Sequence, residues 1–102
     1  MGADLRHLSE LDRLVHEPAR LMIMSILSAA ESADFLYLER ETGLTRGNLS
    51  AHLGRLEAAG YVSIEKTFKG KLPLTICRLS PDGRRALAQY RQQLQQFITS
   101  TE

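Results

Sequence analysis

A helix stop and a helix start lie side by side at Gly43-Leu44-Thr45, and no other feature constrains the fold of this 102-residue chain as tightly. Glycine closes a helix in the left-handed conformation at little steric cost, and a leucine after it supplies the contact that pins the turn. Threonine is a good N-cap for the next helix. The helical patterns on either side therefore belong to two helices joined by a tight turn, a helix-turn-helix over residues 35–60. Its second helix runs from the cap at Thr45 to about Ala59, with Gly60 as its stop.

That second helix is unusual in what it lacks. At about 100° per residue, Leu49, Leu53 and Leu56 fall on one side, while Gly47, Asn48, Ala51, Gly54, Arg55 and Ala58 share the other. A core helix would fill both flanks with bulk, and a solvated one would interleave Glu and Lys pairs. This face does neither. Two glycines on it each cost roughly 1 kcal/mol of helix stability relative to alanine. A small, flat, slightly basic face reads as one cut down for the approach of a large anionic surface.

The flanking elements complete an order. Leu5, Leu8, Leu11 and Val15 recur at helical spacing and predict an amphipathic terminal helix over residues 1–16. Pro18 suits a first helical turn, and the apolar run from Leu21 to Leu27, broken only by Ser25, predicts a core helix over 18–30 buried nearly all round. Residues 35–42 read as a strand residue or two entering a third helix. From Tyr61 the period changes to alternation on two arms around Lys69-Gly70-Lys71, a hairpin over residues 61–80. Ser80-Pro81-Asp82 then supplies a cap, a first-turn proline and a first-turn acid for a last helix over 81–100, with the stripe Leu87, Tyr90, Leu94, Phe97 and Ile98. The fold class is mainly α with a small β-hairpin (α+β): a winged helix-turn-helix in one domain, with N- and C-terminal dimerisation helices.

The charge is distributed to match. The net charge of +1 hides a first part, residues 1–44, with four basic and eight acidic groups, and a second, residues 45–102, with nine basic and four acidic. Base edges in a major groove require hydrogen-bonding side chains at the start of the reader helix, which Thr45, Arg46, Asn48 and Ser50 supply, while Gly47 and Ala51 let the backbone come close. His52 and Arg55 lie further along, at phosphate height. Competing readings stand beside these: Thr45 as a cap alone, Ser50 bonded to its own helix, His52 as a half-buried, satisfied imidazole. Lys66, Lys69 and Lys71 put three cations at the hairpin tip with no acid among them, suited to backbone or minor groove. The alternative is that they guard an exposed sheet edge.

No enzyme assembles from the remainder. His7, His16, His52 and Cys77 are scattered, without metal-ligand spacing, so neither a metal nor another cofactor is expected. The lone Cys77 excludes an internal disulfide and reads as an inward-facing strand residue, which fits a cytoplasmic setting. The charged N-terminus is unlike a signal peptide, and no run approaches the roughly 18 apolar residues of a membrane helix. So short a chain leaves apolar surface hard to cover alone. Leu5, Leu8 and Leu11 with Leu87, Tyr90, Leu94, Phe97 and Ile98 are therefore expected to pair across a two-fold axis, against the alternative that both helices pack on their own core.

The run from Leu44 to Leu87, with GNLSAHL in the reader helix, LEAAGYV before the first arm, FKGKLPLT in the hairpin and LSPDGRRAL opening the last helix, resembles small winged-helix transcriptional regulators related to the MarR and ArsR groups. The resemblance spans residues 17–98. It implies a homodimer on operator double-stranded DNA, most often a repressor, with contacts at Arg46, Asn48, Ser50, His52 and the wing lysines. The cysteine pairs of the metal-sensing members are missing, and nothing in the sequence supports a small-molecule effector. A second class of function, a winged helix that docks to protein with an incidental basic face, stays open.

Overall fold

The helix-turn-helix forms around the predicted tripeptide in a computed structural model that describes residues 9–101. Helix α1 spans Pro18–Ala29, strand β1 Ala33–Asp34, and helices α2 and α3 span Phe35–Thr42 and Arg46–Ala58. Strands β2 (Val62–Lys69) and β3 (Leu72–Leu79) make the hairpin, and α4 covers Pro81–Thr101. Gly43 closes α2 at φ 70°, a left-handed value. Thr45 Oγ1 accepts the Asn48 N–H at 3.1 Å and starts α3. The end of α3 is closed by the Gly60 N–H on Glu57 O and the Tyr61 N–H on Leu56 O, each 2.9 Å, the paired bonds of a Schellman motif.

The hairpin is in register from Val62 opposite Leu79 to Lys69 opposite Leu72. Gly70, at φ 64°, takes the first position of its two-residue turn, where a positive φ matches the twist of the strands. β1 adds a third, two-residue strand on the other side of β3, with Ala33 opposite Cys77. It lies just before Phe35 rather than at the start of residues 35–42, because Asp34 is already committed as the α2 cap, its Oδ1 accepting the Tyr37 N–H at 2.7 Å.

The core gathers Ile23, Met24 and Leu27 of α1, Leu38 of α2, and the three α3 leucines under β2, β3 and α4. Cys77 is fully buried there as expected, and burial, followed by the charges of Glu57 and Asp34, pushes its thiol up to about 11. α1 is covered over most of its circumference: Leu21 and Ile26 pack against the core beside the buried residues, and within the apolar run only Met22, 40% exposed, stands out. One expectation fails. The N-terminal segment is not helical over residues 11–17. Asp12 captures the local backbone, Oδ1 accepting from the Leu14 and Val15 N–H groups at 2.9 and 3.3 Å. Such bonds compete directly with a helix. Leu5 and Leu8 lie outside the described residues.

The terminal apolar stripes are also largely spent at home. Leu11, Leu87 and Tyr90 are buried in the chain's own core, so they offer no surface to a second subunit, a correction to their predicted role in pairing. Leu94 is half-buried against the same core, whereas Phe97 is half-buried and Ile98 is 44% exposed.

Two contacts lock the ends of the domain together. Tyr61 donates its hydroxyl to Asp12 Oδ2 at 2.6 Å. That bond, then burial, then the charge of Asp12 push the phenol up to about 12. Gly83, on the first turn of α4, is buried against the Tyr61 backbone. A Cβ there would lie 2.8 Å from Leu79 Cδ1 and closer still to the Tyr61 carbonyl oxygen.

Gly83→Ala is therefore expected to destabilise the domain by about 1–3 kcal/mol in a denaturant titration, since backbone must move to admit the methyl. A raised phenol favours the protonated, folded form. The contribution of Tyr61 is complete below its ordinary value of 10 and is lost as pH rises through about 12. Absorbance titration of the folded protein is expected to show a tyrosine ionising near pH 12 that Tyr61→Phe removes.

Candidate nucleic-acid interface

The leucine stripe of α3 goes inward, with Leu49, Leu53 and Leu56 at 0, 2 and 0% exposure. What it leaves outside is the bare face. Thr45, Arg46, Gly47, Asn48, Ser50, Ala51 and Arg55 are all exposed. A Cβ added at Gly47 or Gly54 would meet nothing within 4 Å, so neither glycine is there to fit this molecule's own packing. Thr45 serves as the cap, as one reading had it. Its hydroxyl is occupied on the side facing the helix.

Arg46 is the best-positioned cation on this face. Its side chain is 71% exposed, yet its guanidinium carbon sits 5.8 Å from the centre of the Phe35 ring and Nη2 lies 3.8 Å from Glu39 Oε1. Both supports come from α2, the first helix of the turn motif. Phe35 and Glu39 were not singled out in the sequence, because their relation to Arg46 exists only once the turn at Gly43 folds α2 back against α3.

A groove of about 650 Å³ opens between α3 and the hairpin. Arg46, Ser50, Gly54 and Glu57 form its helix wall, and Ile64, Lys66 and Thr75 its sheet wall. Lys66 is thus brought beside the reader helix, while Lys69 and Lys71 are exposed at the hairpin tip. Glu57 adds a long acidic side chain to the open side: one helical step of about 100° from Leu56 swings it out of the stripe onto the groove wall.

His52 does not belong to this face. It points toward α1, with its side chain 19% exposed, Nδ1 3.1 Å from Arg20 Nη1 and 3.7 Å from Glu17 Oε2. A guanidinium only donates, so Nδ1 accepts. Arg20 itself is 8% exposed and also donates Nε–H to the Leu14 carbonyl at 2.6 Å. Burial works against ionisation of Glu17, but the Arg20 and Ala19 backbone N–H groups and the neighbouring Arg20 charge outweigh it and hold its carboxyl below the usual range. The half-buried, satisfied imidazole is the correct reading of His52. The missed partner, Arg20, looked in the sequence like one more charge in an acidic half.

Helix-turn-helix, wing and trimmed reader face together define a winged helix-turn-helix domain of the nucleic-acid-binding type. The chain belongs to the winged helix DNA-binding domain family, whose model matches residues 19–98. It is similar to an uncharacterized protein of Methanocaldococcus jannaschii, 32% identical over 91 residues that cover 88% of this chain and 98% of that one. In structure it resembles a transcriptional regulator homologue of Pyrococcus horikoshii OT3, with a TM-score of 0.86, 27% identity, and 92% and 95% of the two chains covered. It shares its fold with the transcriptional repressor CouR bound to a 23-mer DNA duplex, with a TM-score of 0.72 at 21% identity over 91% of this chain and 63% of CouR.

If the open face is free of any structural duty, filling it is harmless to the fold. Gly54→Ala is expected to raise stability by up to about 1 kcal/mol in the same denaturant titration, because alanine relieves the helix penalty and its methyl meets no neighbour.

Proposed function

We propose that this protein is a sequence-specific double-stranded DNA-binding transcriptional regulator that acts as a homodimeric repressor. The observation that carries the reading is the continuous surface made by the uncrowded face of α3 and the lysine-bearing hairpin, meeting at one groove. α3 enters the major groove with its N-terminal half against base edges. Arg46 suits the two acceptors of guanine and Asn48 the acceptor and donor of adenine. Gly47 and Ala51 admit the backbone, Ser50 and Arg55 flank them, and Lys66, Lys69 and Lys71 follow the phosphate backbone into the neighbouring minor groove. The fold shared with CouR, a repressor bound to a 23-mer DNA duplex, supports the reading as a DNA-binding protein.

Dimerisation rests on the end of α4. Leu87, Tyr90, Leu94 and Phe97 follow alternating steps of three and four, but only the first two are buried at home. Beyond Leu94 the helix carries Phe97 and Ile98, which the described residues leave half-buried and exposed. A second α4 across a two-fold axis would cover both and set two reader helices about 34 Å apart, one turn of DNA. Repression then needs no catalysis and no cofactor: a dimer lying along a promoter occupies the DNA that another protein would use. This reading places the protein in the cytoplasm with its operator; no described helix is long and apolar enough to cross a membrane.

Selection of bound sites from random duplexes tests the proposal directly. A two-fold-symmetric site is expected, with log affinity falling linearly in log salt. Lys69→Ala and Lys71→Ala are each expected to reduce that slope by about one, whereas Arg46→Ala costs about 1–3 kcal/mol and relaxes preference at one base position. Absence of duplex binding at low salt would overturn the reading. Ile98→Lys is expected to shift the sedimentation of the protein toward monomer.

A further inference from the structure

The hairpin tip is not only basic. Phe68 and Leu72 are 68% and 70% exposed, more than any other large apolar residue exposed among the described ones. Phe68 stands opposite Pro73 in the register, and Lys69 opposite Leu72. Side chains alternate along a strand, so Val62, Ile64, Lys66 and Phe68 share one face of the sheet. Ile64 and Lys66 on that face line the groove beside α3. Phe68 therefore extends the same wall outward, past Lys66, to the outer end of the wing, and Leu72 backs it from the other face.

Among the described residues neither Phe68 nor Leu72 belongs to the core cluster or packs against it. What covers them must be anionic, because residues 66–71 hold three lysines and no acid. It must also offer flat apolar surface within reach of those charges. A second copy of the wing fails the first condition, since it would set three lysines against three. A duplex meets both, with phosphates on the rim of the minor groove and sugar faces and base steps inside.

We infer that the wing carries an apolar wedge, with Phe68 entering the minor groove beside the site read by α3, unstacking a base step and bending the duplex, while Lys69 and Lys71 hold the two phosphate rims. The inference rests on the DNA-binding reading above and adds a deformation to it. Proteins that insert phenylalanine or leucine between base steps kink the duplex away from the insertion, toward the major groove, and make sequence count where no base edge is read. Here the bend would draw the neighbouring major groove around α3.

The test uses the full chain and a duplex bearing the selected site, labelled at both ends for energy transfer and carrying 2-aminopurine at successive steps flanking the α3 site. Binding is expected to bring the ends closer and to raise 2-aminopurine fluorescence at one step on each side. Phe68→Ala, an exposed position whose fold is checked by circular dichroism, is expected to abolish both signals and weaken binding on the order of tenfold, with the salt slope unchanged. Phe68→Leu is expected to keep most of the bend. A duplex that binds but neither bends nor unstacks, or a Phe68→Ala protein that bends it as well as the parent, overturns the wedge and leaves the DNA-binding reading intact. No duplex binding overturns both. Phe68-dependent binding to phosphatidylserine vesicles, with DNA bending indifferent to Phe68, would assign the tip to a lipid surface and overturn the wedge as well.

Discussion

Everything in this domain hangs on the burial of one side of α3. Leu49, Leu53 and Leu56 plug into a core built by α1, β2 and the other helices, each contributing about 2–3 kcal/mol of hydrophobic stabilisation. Domains of this kind are stable by about 5–15 kcal/mol, so three leucines are a large share of the total. Anchoring by one stripe holds the helix rigidly while leaving the opposite side free of structural duty. A reader helix needs both conditions, because a side chain that reads a base edge must be placed by something other than the base.

The flank of α3 toward α1 is held differently, by charge. Arg20 is taken out of water and is tolerable there only because Leu14, Glu17 and His52 each supply it an acceptor or an opposite charge. The cluster ties the N-terminal segment, the start of α1 and the middle of α3 into one unit. On the other flank Arg46 is steadied by Phe35 and Glu39 but left open to solvent. Two arginines near one helix thus do opposite work. One braces the helix from behind, and the other faces outward at the groove.

Much of the fold was legible because it is set by local chemistry. Gly43, Thr45, Gly60, Gly70 and Ser80 each act within a few residues of themselves, as caps and turns, and the structure uses all five where the pattern places them. The bare face of α3 was legible for the same reason, since 3.6 residues per turn divide a helix into sides without reference to any neighbour. Apart from the N-terminal helix, displaced by the local bonds of Asp12, the failures share a cause. Nothing local told that Asp12 would bond to Tyr61, that His52 would meet Arg20, or that Gly83 would lie against the Tyr61 carbonyl. Leu11, Leu87 and Tyr90 were apolar in a correct pattern, but a stripe does not say whose core it enters.

The sequence by itself determined the order of elements from α1 onward, the caps and turns that join them, the inward side of α3 and the cationic tip of the hairpin, because capping, periodicity and turn chemistry are short-range. Only the tertiary structure decided which polar groups of α3 remain at the surface, which terminal apolar residues are already covered, and that the Lys66 face of the hairpin stands across a groove from α3. Those are questions of what lies across a gap of tens of residues. Their answers depend on three-dimensional packing and desolvation, which no spacing along the chain encodes.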